Sequence, residues 1–137
     1  MANFSDYMEN AIIDEVFRNT AYTPVATVYL ALFTAVTGLE ANAGITGEVS
    51  GGSYARESCA FDAAASGATA NTSDVTFTEA TGDWGTVTHV AVVDHLSNVT
   101  WGTNVNVLMW GALASSKTVG TGDTFKIKAG DLDITVA

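Results

Sequence analysis

The sequence predicts a mainly β fold: a single sandwich or barrel-like domain preceded by a short amino-terminal α-helix. Three observations predict it. Thirteen glycines and a single proline punctuate 137 residues. Short runs of β-branched and aromatic residues recur between Gly, Asn, Ser and Asp clusters at sandwich-like spacing. Helical periodicity is confined to one segment. The length fits one domain over residues 1–137, with the helix within 1–20 and the β part in 25–137.

The helix comes first. Phe4, Met8, Ile12, Ile13, Val16 and Phe17 recur at three- and four-residue spacing, with Asp6, Glu9, Asp14 and Glu15 between them. Asn3 or Ser5 serves as N-cap, and early acids suit the positive end of the helix dipole. Arg18 and Asn19 fit the other end, and Pro24 prevents continuation. The run "VATVYLALFTA" (25–35) is apolar almost throughout, as in a strand covered on both faces, with the helix the expected cover on one side. The helix can pack in that way under its own sheet or reach a neighbouring copy.

The stretch "EVSGGSYARE" (48–57) reads as a glycine turn at Gly51 and Gly52 feeding a strand from about Tyr54. Alternation puts Tyr54, Arg56 and Ser58 on one face and Ala55, Glu57 and Cys59 on the other. Further strands are expected in "SYARESCAF", "DVTFTEA", "VTHVAVVDH", "NVTWGT", "NVLMWGALAS", "DTFKIKAG" and "LDITVA". Residues 62–74, "DAAASGATANTSD", have no periodicity and read as an exposed loop. Each tryptophan (Trp84, Trp101, Trp110) precedes a glycine, as where a large ring covers bare backbone.

Fifteen acidic and five basic residues give a net charge of −10. The cations Arg18, Arg56, Lys117, Lys126 and Lys128 form no cluster in the sequence, which argues against nucleic acid or an anionic membrane as partner. No apolar run is long enough to span a bilayer, and the amino terminus lacks the pattern of a signal peptide, so synthesis in a host cytoplasm is expected.

Candidate chemistry is sparse. Cys59, among apolar neighbours in "SCAF", reads as a buried, inert thiol. His89 sits on an alternating strand, with Asp94 and His95 at its end. These and Ser53 make a triad only on paper, for no nucleophile elbow accompanies them. Asp131 and Asp133 share a strand face near Asp123, yet supply too few oxygens for calcium and match no EF-hand. The glycines of "GEVSGGSYARE" lack the lysine of a P-loop and the spacing of a dinucleotide fingerprint. Arg56 is free to pair with a carboxylate. No catalytic, cofactor or metal residue is therefore expected, and no enzymatic activity.

The ordered set "VYLALFTA", "EVSGGSYARE", "GDWGTVTHVAVVD" and "WGALASSKTVGTGDTFKIKAGDLDITV", behind a short helix, resembles a family of small tailed-bacteriophage structural proteins often labelled tail fibre protein. The resemblance spans nearly the whole chain. It departs at "DHLSNVTWGTNVNVLMWGAL", where relatives carry a shorter glycine-rich hairpin. It implies a non-enzymatic virion protein with other virion proteins as partners. Within it, the compact acidic chain favours a cement or decoration role on the major capsid protein, with a small tail, tail-fibre or baseplate component as the alternative. A homo-oligomer is expected, with a trimer as the number a capsid joint suggests.

Overall fold

The structure is a computed structural model and describes residues 3–136. In chain order its elements are β1 (Asn3–Phe4), α1 (Asp6–Arg18), β2 (Val28–Phe33), β3 (Glu57–Cys59), β4 (Ala68–Ala70), β5 (Val75–Thr76), β6 (Gly85–Val93), β7 (Val107–Val119), β8 (Lys126–Ile127) and β9 (Asp133–Thr135). A five-stranded antiparallel sheet has the order β1-β7-β6-β2-β3. Two antiparallel ribbons, β4-β9 and β5-β8, complete the β structure. The fold is mainly β behind one helix, as the sequence predicts; the sheets do not close into a barrel.

The central sheet is buried on both faces, and β2 shows how. Leu30 and Leu32 join a core with Val90, Val92, Trp84, Phe77 and Phe125, the last two from the ribbon layer. Ala31 and Phe33 join a second core with Leu39, Ala91, Val93, Val105 and Val107. Alternation sends neighbouring residues to opposite faces, so an apolar run with two covers loses solvent on both. The second cover differs from expectation. It is supplied by Leu39 and Ile45 from the loop after β2 and by Trp101 from the β6–β7 connection, while α1 has no buried residue.

Three strand assignments change in detail. Gly51 and Gly52 do form the turn, at φ 74° and 54°, but Ser53 follows at φ 64°. The chain is therefore still turning at Ser53, and β3 starts only at Glu57. The predicted faces hold for Tyr54 and Arg56 and fail after them, since Ser58 is exposed and Cys59 buried. The segment "NVTWGT" is a turn, in which the Asn104 and Val105 amides donate to the Thr100 carbonyl at 2.9 and 3.3 Å. Third, residues 62–74 are not a plain exposed loop: they turn at Ala65–Ala68 and enter β4.

Asn71, 1% exposed, explains that order. Its amide donates to the carbonyls of Ser73 (2.8 Å) and Lys128 (2.9 Å), and its carbonyl accepts from the Leu132 amide (2.9 Å). One side chain thus ties β4 to the segment between β8 and β9. Its bonding capacity is almost fully used, as burial of an amide demands.

Strand β7 has an irregularity. Val87 stands opposite Lys117 and His89 opposite Ala112, so residues 113–116 bulge across from Thr88 alone. The far half of β7, Ala112 to Thr118, is consequently exposed apart from a half-buried Leu113.

Candidate interaction surface

Helix α1 packs on the body of the protein at its amino-terminal end. Ser5 is its N-cap: the hydroxyl accepts from the Met8 amide (3.3 Å) and donates to the Val107 carbonyl, while the Ser5 amide donates to the Leu108 carbonyl (3.2 Å). The Asp6 amide is taken by the Glu40 carbonyl at 2.8 Å. Phe4, Tyr7 and Met8 pack against the first core. Beyond this base no residue from Glu9 to Thr27 is buried.

The apolar stripe read from the sequence therefore runs off the body of the protein. Ile13, Val16 and Phe17 are 51%, 65% and 80% exposed, and Val25 is 39% exposed. Nor is the arm a loose tail. The Asn19 and Thr20 amides both donate to the Asp14 carbonyl, with Asn19 left-handed at φ 54°. The Tyr22 amide donates to the Glu15 carboxylate, and the Tyr22 ring meets Tyr7 edge-on at 6.5 Å. Residues 6–22 thus form a pinned hairpin of helix and return segment, presenting an apolar face to solvent. An isolated helix of this length is marginal in water, so these tertiary ties hold it.

The other suggestive residues are committed internally. Arg56 is 4% exposed. Its Nε and Nη2 donate to the two Glu48 oxygens at 2.7 and 2.8 Å, its Nη1 donates to the His95 carbonyl at 2.8 Å, and its guanidinium lies 4.9 Å from the Trp101 ring centre. The carboxylate reading of Arg56 is correct. The Tyr54 hydroxyl donates to Glu48 (3.2 Å) and accepts from the Leu32 amide (2.9 Å). Burial, with the Glu48 charge second, holds its pKa well above the ordinary tyrosine range. The glycine turn is equally structural: the Gly52 carbonyl accepts from Trp84 Nε1 at 2.9 Å and from the Thr81 amide at 3.0 Å.

The paper triad does not assemble. Ser53 bonds Thr81 (2.7 Å), His89 Nδ1 meets the Thr88 hydroxyl (2.8 Å), Asp94 accepts from Asn106, and His95 Nδ1 accepts from the Ser97 and Asn98 amides. Asp123 accepts from the Gly120 amide in its own turn (2.9 Å) and is not clustered with Asp131 and Asp133. The trio of ligand-type side chains that does converge among the described residues is Asp6, Glu9 and Glu40, all exposed at the base of α1. Periodicity located Asp6 and Glu9 on the helix, but nothing in the sequence brings Glu40 to them. Cys59 is buried, and desolvation pushes its thiol up to about 11, away from reactivity.

No helix among the described residues is long and apolar enough to cross a membrane. No curated protein matches the chain. A family model described as podophage GP4 fiber I protein gp80 matches residues 3–135, from β1 through the end of β9 and thus both cores and the arm. The chain belongs to this family of bacteriophage fibre proteins.

Proposed function

We propose that the chain is a non-enzymatic subunit of a phage tail-fibre assembly, built into the virion by protein–protein contact. The observation that carries this reading is the α1 arm: a pinned helix with its apolar face in solvent. Apolar area of this kind on a soluble protein marks a docking surface. The fibre description of the family supports the tail over the head, so the cement role expected from compactness and composition gives way to its alternative. A low charged fraction predicts contacts that depend weakly on salt, while the net charge keeps free copies apart before assembly.

Virion imaging with this protein labelled tests the position. Signal confined to the tail, in few copies per particle, is the expected result. Even labelling of the head would restore the cement reading and overturn this one.

A further inference from the structure

One face of α1 is open to solvent along its length, and its two halves differ in chemistry. Asp6, Glu9, Ile13, Val16 and Phe17 stand at i, i+3, i+7, i+10 and i+11, so they share one side of the helix. All of them are exposed, while Tyr7, Met8, Ala11 and Ile12 between them are half-buried. The face is about 16 Å long at the rise of an α-helix. Its far half is apolar: Ile13, Val16 and Phe17 expose roughly 400 Å² between them.

Its near half is anionic. Carboxylate oxygens of Asp6, Glu9 and Glu40 lie within 4.8 Å of one another. The helix dipole accounts for acids in a first turn, but Glu40 comes from the loop after β2. Its carboxylate is held by Trp110 Nε1 at 2.8 Å and its carbonyl by the Asp6 amide at 2.8 Å. Like charges so close repel one another. None has a cation partner among the described residues, whose ion pairs are Arg18–Asp14, Arg56–Glu48 and Lys126–Asp74. The other acids of the helix are spent within the arm, Asp14 on Arg18 and Glu15 on the Tyr22 amide. The trio is thus the unneutralised charge of the arm, and it sits at one end of the apolar stripe.

Charge decides what can cover such a face. A phosphate-bearing partner, nucleic acid or lipid, meets repulsion from the trio. A second copy fares little better. The chain carries −10 overall, and Arg18, Arg56 and Lys126 are already paired. Lys117 and Lys128 are then left to meet the trio, and Lys117 shares its groove beside β7 with Asp123, Asp131 and Asp133.

We infer that the Asp6–Phe17 face of α1 docks in an apolar groove of a different virion protein, one that sets Lys or Arg side chains against the Asp6, Glu9 and Glu40 carboxylates. This rests on the assembly reading above and names the chemistry of the arm's partner. Ile13, Val16 and Phe17 have the spacing of helix-in-groove anchors. The carboxylates fix direction, since a groove basic at one end accepts the helix one way round and a reversed helix leaves the trio unpaired. Once seated, the ion pairs are shielded from solvent and depend little on salt.

Photocrosslinking in assembled particles tests it. Phage with their own copy of the gene silenced are grown on hosts that supply the chain with p-benzoylphenylalanine in place of Phe17, and mass spectrometry identifies what irradiation joins to it. The adduct should be to another virion protein, on an apolar segment that carries Lys or Arg. Glu9→Lys should lower the copies per particle at least ~10-fold, as for a like charge set into a contact. Reversing the facing Lys or Arg of the crosslinked protein to Glu should restore them. Glu9 and Phe17 are both exposed, so circular dichroism and melting of the purified variants should match the parent, and Glu9→Gln stands in if Glu9→Lys does not fold. An adduct to a second copy, no adduct although the chain is in the particle, or undiminished incorporation of Glu9→Lys would each overturn the inference. So would release of the parent chain by EDTA, because a metal ion and not a partner's side chain would then neutralise the trio. Absence of the parent chain from particles would overturn the assembly reading itself, and this inference with it.

Discussion

Removing the guanidinium of Arg56 should be among the most damaging single changes in the chain. The Arg56 and Glu48 side chains are 3% and 16% exposed. Arg56→Met deletes two charge-assisted bonds to Glu48, one to the His95 carbonyl and the contact with Trp101. The Glu48 carboxylate is left with the Tyr54 hydroxyl as partner. Breaking a buried pair from one side costs about 3–5 kcal/mol. For a chain of this length that corresponds to a melting temperature lowered by roughly 10–20 °C. Urea unfolding of Arg56→Met, Glu48→Leu and the double variant measures it. The double variant should be well short of the sum, because no unpaired charge then remains, with a coupling of about 2 kcal/mol. Strict additivity, or a loss below ~1 kcal/mol for Arg56→Met, would refute the argument that this pair is desolvated and mutually dependent.

Gly51→Ala and Gly52→Ala should differ. Both have positive φ, but a Cβ at Gly51 meets nothing within 4 Å whereas one at Gly52 lies 2.8 Å from the Gly82 carbonyl oxygen. The first should cost about 1 kcal/mol and the second about 2–4 by chemical denaturation; equal losses would show that backbone conformation alone decides. Asn71→Asp keeps the shape and removes both amide donations, leaving a carboxylate against two carbonyls, so a loss of about 3 kcal/mol is expected in the same assay, and an unchanged midpoint would refute the staple. Cys59, with its thiol near 11, should be about a thousandth thiolate at pH 8 and label slowly, roughly tenfold faster per pH unit upward. Its folded pKa lies above the ordinary 9.0, so its stabilisation is complete below that pH and lost as pH rises toward 11. Rapid labelling of native protein at pH 7 would refute its burial.

What the sequence made legible followed local rules. A near-continuous apolar run found β2, alternation around His89 found β6, runs of β-branched and aromatic residues found β7, and the 3.6-residue period found α1, while the caps at Ser5 and Asn19 follow from residue chemistry at helix ends. Glycine conformational freedom identified the 51–52 turn. What escaped it is long-range. Asn71 looks like any loop asparagine until Lys128 and Leu132 arrive from across the chain. Amphipathicity shows that α1 has an apolar face but not what covers it, and the cover of Ala31 and Phe33 turned out to be two loops.

The two ends of the α1 arm join different strands of one sheet, and this has a mechanical consequence. A pull on the arm reaches the sheet through β1 at one end and β2 at the other, on opposite sides of β6. The β2 anchorage is deep, with five residue pairs to β6 and three to β3. The β1 anchorage is two pairs to β7, with the Ser5 and Asp6 bonds beside them. Tension should peel β1 first, lengthening the strap by a few residues and withdrawing Phe4 from the edge of the first core, while the pairing of β7, β6, β2 and β3 holds. A particle built from such units would absorb a tug by giving way at a short, re-formable seam, and the protein itself would come through intact.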